Sequence, residues 1–173
     1  NPQSDDDLRK AVSKFQQALQ IFERHNNPLN ISEACNSLGI IYRQWGQYGQ
    51  ARGYFEKSLA QCRDSSDLVG QAQALQNLAL TFSDLGLHDQ AVAYGEQAVE
   101  VSKKANDDLG EAFSLNVMGN VSYNRGDYLS SVQFHKQAQD FYDRVNDVHH
   151  RRRIQNNIGD AYTRLGRYKE ALE

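Results

Sequence analysis

Residues 35–55 of this 173-residue chain read CNSLGIIYRQWGQYGQARGYF, and the same arrangement of small, apolar and aromatic residues returns along the sequence. A glycine recurs every 40 residues, at Gly46, Gly86, Gly126 and Gly166. Each glycine is followed two positions later by a ring, at Tyr48, His88, Tyr128 and Tyr168. A fixed period of this length predicts an array of stacked structural repeats.

The second repeat shows how each unit is built. Between Leu68 and Leu85, apolar residues recur three or four positions apart, which predicts one amphipathic helix, called helix A. A second run with the same spacing extends from His88 to about Lys104 and predicts helix B. The linker at Gly86 is short, so the two helices must return antiparallel as a hairpin. The sequence therefore predicts an all-α solenoid of antiparallel helix hairpins.

The period also sets the expected boundaries. We expect one array segment over 1–173, with an unpaired helix B at 5–26, full repeats at 27–66, 67–106 and 107–146, and a partial repeat at 147–173. A polar residue begins each helix A and is predicted to cap it, at Asn27, Asp67, Asp107 and Asp147. Because neither end resembles the polar capping unit that stacked arrays need, we expect a segment of a longer array.

Composition excludes several classes of function. The chain carries 19 basic and 22 acidic residues, so no net positive charge draws it to nucleic acid. No stretch approaches the roughly 18 consecutive apolar residues of a membrane span, so we expect no membrane insertion. The two cysteines, Cys35 and Cys62, are too few for a disulfide framework or a zinc site and are predicted to be core residues. A reducing, cytoplasmic location follows as the expectation.

Motifs for catalysis are missing from the sequence. The five histidines show no metal-ligand spacing, and no phosphate-binding loop, nucleophile elbow or dinucleotide fingerprint occurs. We therefore expect no enzyme activity, no cofactor and no metal.

A family resemblance rests on the opening stretch. The pattern C-x-x-L-G-x-x-Y over residues 35–42, followed by A-x-x-x-F over residues 51–55, resembles the tetratricopeptide repeat (TPR). The 40-residue period is similar to that of the LGN/Pins polarity scaffolds, kinesin light chain and bacterial signalling arrays. The resemblance implies a right-handed superhelix whose helices A line a concave groove. Such grooves bind extended or helical peptide segments, which predicts a protein-interaction scaffold in signalling.

Residues on the face of helix A opposite helix B are the predicted groove. Amides can pair with a peptide main chain, arginines can select acidic residues, and apolar side chains can take apolar anchors. The predicted groove residues are the amides Asn36, Gln76, Asn116, Asn120, Asn124 and Asn156, the arginines Arg43, Arg153 and Arg164, the apolar or aromatic Ile40, Leu80, Phe113 and Tyr123, and the acidic Asp160. The predicted partner is a protein or peptide with acidic residues and apolar anchors.

Other interpretations stay open at this point. The segment is alternatively a regulatory or autoinhibitory module of a larger signalling protein or enzyme, with the groove holding a segment of its own chain. Self-association also stays open. The basic cluster at 149–153 either pairs with acidic residues at 107–111 of the preceding repeat or offers a patch to an acidic partner, with phosphate or nucleic acid as a third interpretation.

Overall fold

A computed structural model of the chain describes residues 2–172, with side chains from residue 6 onward. Over these residues the secondary structure is helical throughout, without a strand. The helices are α1 (Pro2–Arg24), α2 (Pro28–Gln44), α3 (Tyr48–Asp64), α4 (Leu68–Asp84), α5 (His88–Lys104), α6 (Asp108–Arg125), α7 (Tyr128–Arg144), α8 (Val148–Arg164) and α9 (Tyr168–Ala171). Within this range, none of the helices has the length and apolar character needed to cross a bilayer.

The helices alternate between two layers. α2 packs on α3 as a hairpin, and α4 with α5 and α6 with α7 repeat this arrangement. The even-numbered helices also pack against one another along the array. The odd-numbered helices approach one another less closely and meet through long side chains, as Lys57 of α3 does with Glu23 of α1. The even-numbered helices therefore form an inner layer and the odd-numbered helices an outer one. This is the all-α solenoid of antiparallel hairpins that the period predicts, and it agrees with the TPR resemblance.

Two kinds of turn alternate with the layers. The predicted caps are confirmed, since a side-chain oxygen of each accepts a hydrogen bond from the backbone N–H three residues later, at Asn27, Asp67, Asp107 and Asp147. The residue before each cap has a positive φ between 49° and 56°, at Asn26, Ser66, Asn106 and Asn146. Within each hairpin, glycine takes this left-handed conformation instead, which costs it no steric strain. The two turns fix the 40-residue period.

Close packing inside each hairpin depends on a small residue under a larger one. A Cβ atom added to Gly39 would lie 2.5 Å from Cε1 of Phe55, so only glycine leaves room for this ring. In the third hairpin, a Cβ atom on Gly119 would lie 2.5 Å from Cε1 of His135. The predicted core positions of the two cysteines are confirmed, because both are free and buried.

The buried apolar side chains fall into two clusters. One extends from α1 to Val117 and Val121 of α6, and the other joins the opposite side of α6 to α7 and α8. Between them, the third hairpin buries several polar side chains, namely Ser114, Asn116, Ser122, Ser131 and His135. The α6–α7 hairpin therefore buries more polar side chains than the α2–α3 hairpin, which buries Ser32 and Ser58.

Candidate interaction surface on the inner helices

Side chains of the inner layer bond to each other from one helix to the next. The bonded residues are 41 positions apart, so the same contact recurs from repeat to repeat. We call these five bonds the polar ladder: Arg43 to Asp84 at 2.7 Å, Asn77 to Asn36 at 2.8 Å, Asn124 to Ser83 at 3.0 Å, Arg164 to Tyr123 at 3.1 Å and Asn157 to Asn116 at 3.5 Å.

Two predicted groove amides lie between the inner helices instead of on the open surface. Gln76 and Asn116 are each only 4% exposed. The Gln76 amide donates to the Ser114 hydroxyl at 2.7 Å, which brings α4 and α6 into close contact. A buried amide needs partners within the protein, so these two side chains serve the array. Both amides are bonded within the array, and their part in binding a peptide stays a prediction.

The polar groups of other predicted groove residues are hydrogen-bonded within the polar ladder. Arg43 is tied to the Asp84 carboxylate, and Arg164 donates from Nε to the Tyr123 hydroxyl oxygen. Asn124 donates to Ser83. These contacts lie at exposed or half-buried positions, where such bonds each contribute little to stability but set the register of neighbouring helices.

The remaining predicted residues keep open surface. Asn120 is half-buried and accepts a hydrogen bond from Asn157 at 3.4 Å. Asn36, Leu80 and Phe113 are also half-buried, while Ile40, Arg153, Asn156 and Asp160 are exposed. On the inner face, side-chain bonds therefore join neighbouring helices at some positions, whereas other side chains remain accessible to a partner.

The inner face has a cleft across α2, α4 and α6, which we call the inner cleft. Its volume is about 420 Å³. Its apolar wall consists of Ile40, Val69, Leu109 and Phe113, with part of Ala72 below them. Its polar lining comprises Asn36, Gln73, Gln76, Asn77, Asp107 and the backbone at Gly110. A cleft of this size, with an apolar wall and a few polar groups, can receive side chains of a bound molecule.

Sequence reasoning missed Val69 and Leu109. Both occupy the second position of their inner helix, and Leu29 holds the same position in α2. All three side chains are exposed. An apolar residue that returns every 40 positions at an exposed site was the available signal, and the helical pattern concealed it because one buried face dominates the periodicity.

The basic cluster at 149–153 bonds to acidic residues close to it in sequence and, within residues 6–172, not to those at 107–111, which was one of the three interpretations. His150 Nδ1 lies 2.6 Å from Oδ2 of Asp147, and Arg151 lies 3.4 Å from Asp143. Glu111, one of the expected partners, instead faces Lys103. The backbone N–H of His150 also donates to Asp147, and these contacts lower the pKa of the Asp147 carboxyl.

Two cations of this cluster remain available. Arg152 and Arg153 are exposed and form no ion pair with any acidic side chain between residues 6 and 172. Arg153 occupies in α8 the position that Phe113 occupies in α6, so it continues the line of the inner cleft. The inner surface thus changes from apolar to cationic towards α8.

Titratable side chains are scattered over the described residues. Across the part of the chain that the structure describes, no three His, Cys, Asp or Glu side chains converge as a metal site would require. Burial of its ring lowers the pKa of His135 to about 4. It lies in the core of the third hairpin, away from the inner cleft.

Solved structures share this architecture at low sequence identity. BtubC (BKLC) from P. vanneervenii is 22% identical with a TM-score of 0.81, over 98% of this chain and 71% of that one. A Rap protein complexed with competence and sporulation factor is 16% identical with a TM-score of 0.85, over 98% and 47%. A variant of a putative kinesin light chain from Podosopora anserina, with nearly identical TPR-like repeats, is 18% identical with a TM-score of 0.77, over 98% and 84%. These similarities establish the fold.

Sequence comparison gives the family. No curated protein sequence matches the chain. The tetratricopeptide repeat profile matches residues 3–64, 30–104 and 109–173. Because these segments together span nearly the whole sequence, the chain belongs to the tetratricopeptide repeat family.

Proposed function

We propose that this chain is a protein-interaction scaffold that docks a peptide segment of a partner protein on its inner face. The observation that carries the proposal is the inner cleft, where exposed apolar side chains of the inner helices α2, α4 and α6 surround one opening. Exposed apolar side chains grouped in a concave site favour binding, because a partner removes them from water. The Rap protein in the solved structure has a similar fold and is complexed with competence and sporulation factor, which supports this kind of function.

Each part of the surface has its own role in this proposal. Ile40, Val69 and Phe113 take an apolar side chain of the partner. Gln73 and Asn156 are exposed amides outside the polar ladder and pair with the partner's main chain. Arg153 selects a carboxylate, because its guanidinium is exposed and unpaired within residues 6–172.

The proposed setting is a reducing compartment such as the cytoplasm. Cys35 and Cys62 are free thiols in the core, and burial raises the pKa of Cys35 to about 11. Such thiols are inert packing residues and need no oxidising environment. The function itself is non-catalytic binding, in signalling or in assembly of larger complexes.

Selection from a displayed library of random peptides tests the proposal. Peptides of about 12 residues are long enough to cross three inner helices when extended. The affinity of selected peptides is then measured by fluorescence anisotropy for the wild type and for Leu109→Glu. We expect Leu109→Glu to weaken binding by about tenfold or more, since it puts a charge in the apolar wall.

Leu129→Glu is the matched control. Leu129 is 57% exposed and Leu109 is 54% exposed, and each is the second residue of its helix. Leu129 lies on the outer layer, away from the inner cleft, so its substitution should leave the affinity unchanged. Equal loss in both variants, or no loss in either, contradicts docking at the inner cleft. Binding restricted to a segment of a longer version of this chain would identify the regulatory alternative.

A further inference from the structure

Three exposed apolar residues of the inner helices form a regular row. Leu29, Val69 and Leu109 are each the second residue of their helix, in α2, α4 and α6. In α8 the same position is His149, and Arg153 lies one turn further along. We call Leu29, Val69 and Leu109 the apolar row. It ends at a cationic site.

The spacing of this row limits the conformation of a partner. Packed helices lie about 8–10 Å apart, so successive members of the row are separated by about that distance. A polyproline II segment has three residues per turn and rises about 3.1 Å per residue, so every third side chain returns to one face after about 9 Å. A β-strand does not fit, because residues i and i+3 of a strand, which are about 10 Å apart, point to opposite faces.

An α-helical partner fits this surface less well. Side chains seven residues apart on a helix also return to one face after about 10.5 Å, but the helix is about 10–12 Å wide with its side chains. At the inner cleft, the helices are joined by the bond from Gln76 to Ser114 and by the bond from Asn77 to Asn36. The inner cleft then admits single side chains rather than a whole helix.

We propose that the partner of this surface is an extended, polyproline II-like segment with apolar residues three apart and an acidic residue three positions beyond the last of them. The apolar side chains rest on Leu29, Val69 and Leu109, and the carboxylate meets Arg153. The acidic residue follows from charge complementarity, since Arg153 lies in line with the inner cleft, is exposed and forms no ion pair within residues 6–172. This inference rests on the proposed function and specifies its ligand.

Synthetic peptides test the spacing directly. One probe has leucines at every third position, prolines between them and a glutamate three positions after the last leucine, and a second has this order reversed, because the surface does not fix the chain direction. A peptide of the same composition with adjacent leucines and a helical peptide with leucines seven apart are the comparison probes. We expect one of the two spaced probes to bind about tenfold or more tightly than both comparison probes. Equal affinities, or tighter binding of the helical peptide, overturn the inference.

The charge contact is tested with a double-mutant cycle. Arg153→Gln and replacement of the probe's glutamate by glutamine should each weaken binding about fivefold to tenfold, and the two changes together should cost little more than either one. Additive losses show that the two groups do not meet and overturn the placement of the carboxylate.

Failure of this inference is distinguishable from failure of the proposed function. Library peptides that depend on Leu109 but lack the three-residue spacing overturn the inference and leave docking at the inner cleft intact. If no selected peptide depends on Leu109, docking at the inner cleft fails, and the inference fails with it.

Discussion

The first and third hairpins have the same backbone arrangement but different side chains in their cores. In the α2–α3 hairpin, the fully buried ring of Phe55 covers Gly39. In the α6–α7 hairpin, His135 covers Gly119 and is only 1% exposed, and its Nδ1 atom has no hydrogen-bond partner within the described residues. The same backbone space therefore holds an apolar ring in one repeat and an unsatisfied polar ring in the other.

The polar ladder differs in the same direction. The amide of Asn77 donates to Asn36 at 2.8 Å, whereas the equivalent bond from Asn157 to Asn116 is 3.5 Å long. Hydrogen bonds weaken as they lengthen beyond their usual range. The shorter bond therefore lies between α2 and α4, which also carry most of the inner cleft. The third hairpin instead buries more polar side chains.

Phe55→Ala should have the largest effect on stability. Removal of a fully buried aromatic ring lowers the free energy of unfolding by about 3–5 kcal/mol. His135→Ala should cost clearly less, because the histidine ring already carries an unpaired nitrogen in the core. Urea denaturation followed by circular dichroism measures both losses. Equal losses would show that the two hairpins do not differ as the packing indicates.

His135→Phe should remove a pH dependence of stability. Burial lowers the pKa of His135 from 6.5 to about 4, so between these values the unfolded chain binds a proton that the folded chain does not. This contribution to stability is fully present above pH 6.5 and is lost as the pH falls towards 4, by at most about 3 kcal/mol. Urea denaturation at neutral pH and near pH 4.5 should show a smaller drop for the variant than for the wild type. The same drop in both proteins contradicts a buried neutral histidine.

Gly39→Ala should destabilise the first hairpin. The added methyl group would press on the Phe55 ring, and overpacking of this kind costs about 1–3 kcal/mol. Gly53→Ala is the matched control, because Gly53 lies within α3 with nothing near its added Cβ. There alanine should stabilise the helix by up to about 1 kcal/mol. Thermal unfolding shifts of opposite sign are the expected result, and shifts of the same sign contradict the packing.

Asn77→Ala should cost more than Asn157→Ala, although both effects are small. The shorter bond of Asn77 predicts a loss of about 1 kcal/mol, and the longer bonds of Asn157 predict about half of that. Hydrogen exchange of α2 and α4 compared with α6 and α8 locates each loss. A greater loss of stability for Asn157→Ala would contradict the conclusion that the hydrogen bond between α2 and α4 is the stronger one.

The sequence was sufficient for the architecture because the fold is set by local rules. The helix caps were predicted from residue type alone, since each cap bonds only three residues along the chain, as Asp107 does to Gly110. The glycine at each hairpin turn was found by its period, and the positive φ of Gly126 shows why that residue is needed. Local geometry and the period together determined the hairpins.

The candidate site was less predictable because it depends on the rotation between repeats. That rotation decides which side chains of neighbouring inner helices meet, and it joined Asn36 to Asn77 and buried Asn116. Residue type indicates that these side chains can form hydrogen bonds. It does not indicate whether a bond forms with a neighbouring helix or with a partner protein. Val69 and Leu109 became recognisable once the inner face was assembled.

The central claim is that buried inner amides hold the array together while exposed apolar residues bind the partner. Its most direct test measures both peptide affinity and the free energy of unfolding for Leu109→Glu and Asn116→Ala. We predict that Leu109→Glu weakens binding of a selected peptide by about tenfold or more at unchanged stability. Asn116→Ala should lower stability by about 1 kcal/mol at unchanged affinity. A folded Asn116→Ala protein that loses as much affinity as Leu109→Glu would contradict the claim.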